Sequence, residues 1–431
     1  DVGSHQANCY MVTAPEWEET ESVTHGMHEP GRFVPLLGVE WSALTPLGGD
    51  RNVYFPGDQA QLRRCSHEFV ADLGDIDTDL PHVGDLHAAY RDQDVVIALH
   101  VGGRTTNLRW QEPSVERLIE VHSTHATSEW FMLEALERGY KMGVIAGSDG
   151  VDGRPGASHP GHMAVRNVRG GLTAFALPEL TRDALWTAMR ERRCYATTGE
   201  RILLEFECDG HPYGTEYTAA GPPTNGFRVE GTAPLDTVEV WRDTHKLYDV
   251  PLEASDPTPS NAFRIAWRGA SAQGNWRQSR MVWDGHLRLD GARITNVSGY
   301  AFDTPDEGVD DWTETVVNWR SITAGDWDGV VLELDRSSSS AGRLDFATGP
   351  MTFTVPLDDL HERPFVVSAT DPSRTVRVQR LPTGLPPASC RGSFVDPDPH
   401  PGCNAYWLRV LQHDGAQAWS SPVFATFDGA G

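Results

Sequence analysis

The sequence predicts an α/β region over residues 1–200 followed by a β-rich region over residues 201–431. Three observations carry this. Before residue 200, buried apolar runs alternate with helical patterns, which argues for a mostly parallel sheet or barrel. After it, short alternating runs are broken by Gly, Pro and Asp clusters, the pattern of an antiparallel sandwich. The length, 431 residues, suits two or three domains of about 150 residues each.

In the first region, "GRFVPLLGVEWSAL" (31–44), "DVVIALHV" (94–101), "RLIEVHS" (117–123) and "KMGVIAGSD" (141–149) read as buried strands. "TSEWFMLEALERG" (127–139) reads as a helix that Thr127 or Ser128 caps and Gly139 ends. In "PELTRDALWTAMRERR" (178–193), Leu185, Trp186 and Met189 share an inward face and arginines fill the last turn, where the helix dipole favours them. In the second region, "RILLEFECDG", "GVVLELD" and "AYWLRVLQHDG" alternate as strands do. Nine of the 14 tryptophans lie there, and Trp267, Trp276 and Trp283 read as packing residues before they read as a sugar platform.

The chain carries 36 basic and 61 acidic residues, a formal charge of −25. Such a surface repels nucleic acid and anionic membrane, so neither is expected as a partner. Lys141 and Lys246 are the only lysines, which suits a high-GC or salt-adapted source. No run of 18 apolar residues offers a membrane span. The opening Asp1, with no apolar leader after it, reads as a mature form or a fragment.

The six cysteines form no C-x-x-C pair, so a zinc ribbon or thioredoxin-type centre is not expected. Cys390 and Cys403 bracket a Pro/Asp-rich loop that a disulfide could staple. That bridge would point to an exported, oxidising setting, and its absence leaves the cytoplasm open. Cys194 has no histidine beside it in sequence and reads as a buried thiol, not a nucleophile.

The chemistry is concentrated at strand ends. "VPLLGVE" ends in Glu40, "VVIALH" in His100 and "VIAGSD" in Asp149, while "LIEVHS" carries Glu120 and His122. Parallel strands of a barrel end on one face, so these groups are expected to converge. Carboxylate oxygen with imidazole nitrogen suits Zn, Mn or Fe.

The order "GVE", "ALH", "IEV", "GSD" resembles the polymerase-and-histidinol-phosphatase (PHP) superfamily of metal-dependent phosphoesterases. "FVPLLGVEWSALTPLGGDRNVYF", "IALHVGGR", "IEVHSTHATSEWF" and "GSDGVDGRPGASHPG" resemble a bacterial family of unknown function within it. The likeness covers roughly residues 30–205 and implies a distorted β/α barrel of PHP type, lacking its first strands in this chain, with a β-sandwich-like domain after it. It also implies two or three divalent transition metal ions. Glu40, Asp50, His100, His122 and Asp149 are the candidate metal ligands, and Glu40, Asp149 and Arg104 the catalytic candidates. Arg51 and Arg154 would hold substrate oxygens. The activity implied is hydrolysis of a phosphate ester by an activated water. Alternatives are amide or lactone hydrolysis, or a degenerate site on a binding scaffold.

Two departures qualify the likeness. The superfamily opens with a His-x-His that is missing here, and "VGDLHAAY" (83–90) imitates it out of order, with Ala89 in the second histidine slot. The final Asp-x-His reads Asp149-Gly150-Val151. Valine has no lone pair, and Asp152 or His159 would have to replace it. His125 also stands where an aromatic residue is expected.

Overall fold

The computed structural model describes residues 1–150, 168–270, 280–335, 342–361, 363–368 and 374–427. The expected β/α barrel is not what the chain forms. Among the described residues there are 31 strands and four α-helices, spread over several sheets.

The first sheet has seven strands: β1 (Val2–Ser4), β2 (Val34–Ser42), β3 (Asp50–Phe55), β4 (Val96–Leu99), β5 (Glu116–Ser123), β6 (Ala126–Thr127) and β7 (Gly143–Ala146). It is mixed. β1 with β2, β4 with β5 and β5 with β7 run parallel, whereas β3 is antiparallel to both β2 and β4. The short 43–49 link explains the departure from a barrel at β2–β3. A parallel return needs a crossover of a dozen or more residues, and this link allows only a hairpin-like reversal.

Both faces of this sheet are covered. On one, Leu37, Val39, Trp41, Val53 and Ile97 pack with Trp17 of α1 (Ala14–Gly26) and with Val83, Leu86 and Tyr90 of α2 (Val83–Tyr90). Leu99, Ile119, Val121 and Val144 continue that face against Phe131, Met132 and Ala135 of α3 (Glu129–Glu137). α3 begins after Ser128, whose side chain makes no capping bond, and Gly139 follows it at φ 75°. On the other face, Leu36, Val96, Ala98, Leu118 and Ile145 pack with Leu185, Trp186 and Met189 of α4 (Arg182–Arg190). The Thr181 hydroxyl caps α4 by accepting from the Ala184 N–H.

The imitation motif at 83–90 is α2, and its His87 is buried against Glu116. Strands from both sides of residue 200 share an eight-stranded sheet, in which Cys194–Thr197 pairs with Gln417–Ser420. Leu203–Cys208 alternates exposed and buried residues along its length, the period of two of a half-buried strand.

Two five-stranded antiparallel sheets follow and share one apolar core. Trp267 of the first stacks on Trp319 of the second with ring centroids 4.7 Å apart. Trp267 and Trp283 are fully buried, and Trp276 lies outside the described residues. The Cys390–Cys403 staple is not made. Both thiols are free, because Cys390 pairs with Val229 in one sheet and Cys403 with Thr426 in another. Cys194 is buried, its thiol pushed up to about 12 by desolvation.

Candidate metal centre

The face of the first sheet that packs on α4 changes character along its length. Directly paired residues on neighbouring strands share a face. Glu40 pairs with Asn52 and Ser42 with Asp50, while Asn52 pairs with Ala98. One end of this face is therefore Leu36, Val96, Ala98 and Leu118, and the other is Glu40, Ser42, Asp50, His100 and Glu120. The antiparallel turn brings Asp50 here from the start of its strand, where a parallel barrel would have used a strand end.

Glu40, His100 and Asp149 each offer a ligand atom, and the three atoms lie within 4.8 Å of one another. His100 is held from both sides. Its Nδ1 is 2.8 Å from Glu120 Oε1 and its Nε2 is 3.4 Å from Asp149 Oδ2. Asp149 Oδ2 also abuts His125 Nε2. On the same face Asn52 Oδ1 is buried with no hydrogen-bond partner, an acceptor that a cation would satisfy. Imidazole and carboxylate ligands stand about 2.0–2.2 Å from zinc, so two ligands of one ion are at most about 4.0–4.4 Å apart, and His100 Nε2 and Asp149 Oδ2, at 3.4 Å, fall within that reach. The residues fit a divalent transition ion.

Backbone geometry supports the same place. Asp149 is left-handed at φ 45°, an uncommon conformation for a residue with a side chain. A Cβ on Gly102 would come within 2.2 Å of His100 Nε2, so only glycine lets that loop pass over the imidazole.

The electrostatics follow from burial and crowding. Desolvation, then Asp149, raises the Glu40 carboxyl's pKa against the pull of His100. Desolvation and Glu40 push Asp50 well above the usual carboxylate range. Burial would raise Asp149 too, but His100 and His125 outweigh it and hold the group well below that range. Burial would lower His100, whereas Glu120 and Asp149 outweigh it and raise the imidazole well above its ordinary value. The site thus gathers acids and holds protons that a cation would displace.

The remaining candidates divide. Asp50 is turned towards Arg104, accepting from its N–H at 2.7 Å and facing its guanidinium at 3.4 Å. Arg104 also donates to the Tyr10 hydroxyl at 2.6 Å and stays partly exposed. His122 does not serve as a ligand. Its Nε2 donates to the Arg169 carbonyl at 2.9 Å, which leaves Nδ1 to accept from the Thr127 hydroxyl at 2.9 Å. A bulge between Glu120 and His122 separates the two, and Glu120 is the one that meets His100.

Arg51 is also withdrawn from the substrate role. It pairs with Trp41 on the opposite face, is fully buried, and is bound to Glu116 at 2.6 Å. Arg154, Val151, Asp152 and His159 lie outside the described residues. Sequence reasoning set Glu120 beside His122 without choosing it, and passed over His125, Ser42 and Asn52. The alternation of Glu40 with Ser42, and of Asp50 with Asn52, was the available signal.

No family model matches the chain, and no solved structure matches it. The chain is similar to proteins described as "Uncharacterized protein" in three chlamydiae. In Chlamydia trachomatis serovar D the identity is 29% over 252 residues, covering 51% of this chain and 38% of the relative. In Chlamydia muridarum it is 35% over 247 residues, with the same coverages of 51% and 38%. In Chlamydia pneumoniae it is 25% over 256 residues, covering 54% and 40%. The chain thus spans about two-fifths of the length of the curated relatives it matches, and those relatives are bacterial proteins of unassigned function.

Proposed function

We propose that the protein is a metal-dependent hydrolase acting on small phosphate esters. The observation that carries this reading is the convergence of Glu40, His100 and Asp149 within 4.8 Å, with the buried, unpartnered Asn52 Oδ1 beside them. Membership of the PHP superfamily belongs to the same proposal. It is supported by the order and type of these donors, not by the sheet.

In this reading Glu40, His100 and Asp149 would hold a divalent transition ion, with Asp50 beside them holding Arg104 in place. When bound, such an ion polarises a phosphoryl oxygen and lowers the pKa of a water towards neutrality. Glu120 fixes the imidazole from behind, giving the carboxylate–histidine–metal order that aligns a ligand and raises its basicity. Arg104, partly exposed beside Asp50, receives phosphate oxygens, for which a guanidinium is well shaped. Ser42 donates to Glu40 Oε1 at 2.7 Å, keeping that carboxylate turned into the site.

The test is a panel of chromogenic phosphate, amide and lactone substrates, assayed with added Mn or Zn against the His100→Ala variant. Metal-dependent phosphate hydrolysis that the variant loses supports the reading. Turnover confined to amides or lactones moves the activity to another bond. No turnover on any substrate, with metal bound, would overturn the hydrolase.

A further inference from the structure

Two thiols meet on the face of the first sheet opposite Glu40, in the core that holds Val39 and Trp41. Cys9 opens the short helical turn Cys9–Met11, and Cys65 lies in the segment between β3 and α2. They are 56 residues apart in sequence, yet their sulfurs stand 3.4 Å apart. Nothing in the reading above uses them.

The contact is held from both sides. Cys9 Sγ accepts the N–H groups of Cys65 and Ser42, at 3.1 and 3.4 Å. Next to Cys65, the buried Arg64 donates to the Val12 carbonyl at 2.8 Å, and the Trp17 indole donates to the Ala60 carbonyl at 2.7 Å. The two segments are therefore docked along their length. A disulfide is about 2.05 Å long, so the sulfurs need close by only about 1.4 Å to bond. The other buried thiols face hydroxyls, Cys194 at 3.5 Å from Ser421 and Cys208 at 3.1 Å from Tyr217.

The pair is also unequal. Cys9 is fully buried and its thiol donates to the Cys65 sulfur, while Cys65 keeps 8% exposure. That hydrogen bond, with Ser66 and the Arg104 guanidinium, outweighs burial and holds the Cys65 thiol below its ordinary value. Burial and Cys65 itself raise Cys9. The member that ionises more readily is thus the one nearer solvent, the arrangement of an attacking thiol with a resolving partner behind it.

We propose that Cys9 and Cys65 are an oxidative modification site, joined as a reversible disulfide by hydrogen peroxide. The Cys65 thiolate attacks one peroxide oxygen and the O–O bond breaks. The departing hydroxide takes up the proton that Cys65 gave to solvent and leaves as water, with Cys65 now a sulfenic acid. The Cys9 sulfur then attacks the Cys65 sulfur, the S–O bond breaks, and the leaving hydroxide takes the Cys9 proton as a second water. Two thiols are oxidised and one peroxide is reduced. The bond needs no metal, so its test is independent of the hydrolase reading. It lies behind the metal centre all the same, because Asn8 donates to Ser42 Oγ at 2.9 Å and the Tyr10 hydroxyl accepts from Arg104 at 2.6 Å. Closing so long a loop restrains the unfolded chain and favours the fold that makes these contacts.

The experiment treats the full chain, reduced and freed of reductant, with hydrogen peroxide. The remaining thiols are alkylated in denaturant, and the digest is mapped by mass spectrometry without reduction. The expected result is a peptide pair joined through Cys9 and Cys65, which dithiothreitol separates, with Cys194 and Cys208 recovered alkylated. The oxidised chain should melt several degrees above the reduced one. Cys9→Ser should arrest Cys65 at the sulfenic acid, which a cyclic dione traps. A wild type whose Cys9 and Cys65 are both recovered alkylated would overturn the proposal, as would a link from either to another cysteine. Both outcomes are read on the wild type, so they stand whether or not the variant folds.

Discussion

Two regions of this molecule solve one problem differently. In the first sheet, a face that is apolar against α4 turns polar at its far end, where Glu40, Asp50, His100 and Glu120 gather. In the C-terminal half, an inward strand row reverses the order, with Asp326 and Asp328 leading into Val330 and Leu332. The first region mixes imidazole with carboxylate and keeps its histidine oriented by Glu120. The second has carboxylates alone, and with no imidazole to oppose it burial raises Asp326 and Asp328 where histidines hold Asp149 low.

Removing one donor at a time separates the two regions. His100→Ala should have the largest effect, lowering transition-metal affinity by more than about 100-fold, since it removes a direct ligand. Equilibrium dialysis with Mn or Zn checks it. Glu120→Gln should cost about 10–100-fold in the same metal affinity, the usual loss when a ligand's orienting partner goes. An unchanged affinity would mean that Glu120 does not position the imidazole.

A smaller effect sharpens the contrast through pH. Burial holds His122 down at about 4, and the free imidazole titrates near 6.5. The unfolded chain therefore binds a proton that the folded chain refuses between these values. Stability from this group is whole above about pH 6.5 and falls as pH drops towards 4, by roughly 2 kcal/mol at pH 5. Asp303 in the second region is raised to about 7 by burial, so its contribution runs the other way, lost as pH rises from about 4 through 7. Urea melts of wild type and His122→Asn at pH 7 and pH 5 isolate the histidine share. The variant should lack that part of the acid loss.

Much of the first region was legible. The strands ending in Glu40, His100 and Asp149 stand out as apolar runs closing on a polar residue, and α3 and α4 by their periodicity. What could not be read was pairing direction. Periodicity marks a buried strand but says nothing of its neighbour's sense, and the barrel that the PHP resemblance implied needed strands that all run parallel. Arg51 shows the cost. It was placed beside its neighbour Asp50, yet alternation sends it through the sheet to Glu116. His122 was misjudged for a different reason, because a bulge and the Arg169 carbonyl, 47 residues away, decide where its nitrogens go. Cys9 and Cys65 stand 56 residues apart, and only the folded sheet brings their sulfurs together.

A cation shared by Glu40, His100 and Asp149 is read out by the metal content of the purified full chain, measured by inductively coupled plasma mass spectrometry after equilibration with Mn or Zn and desalting. The wild type should carry at least one transition ion per chain, and a Glu40→Gln, His100→Ala double variant that still melts cooperatively should lose it. A wild type that retains no ion, or a folded variant that keeps the full complement, would contradict it.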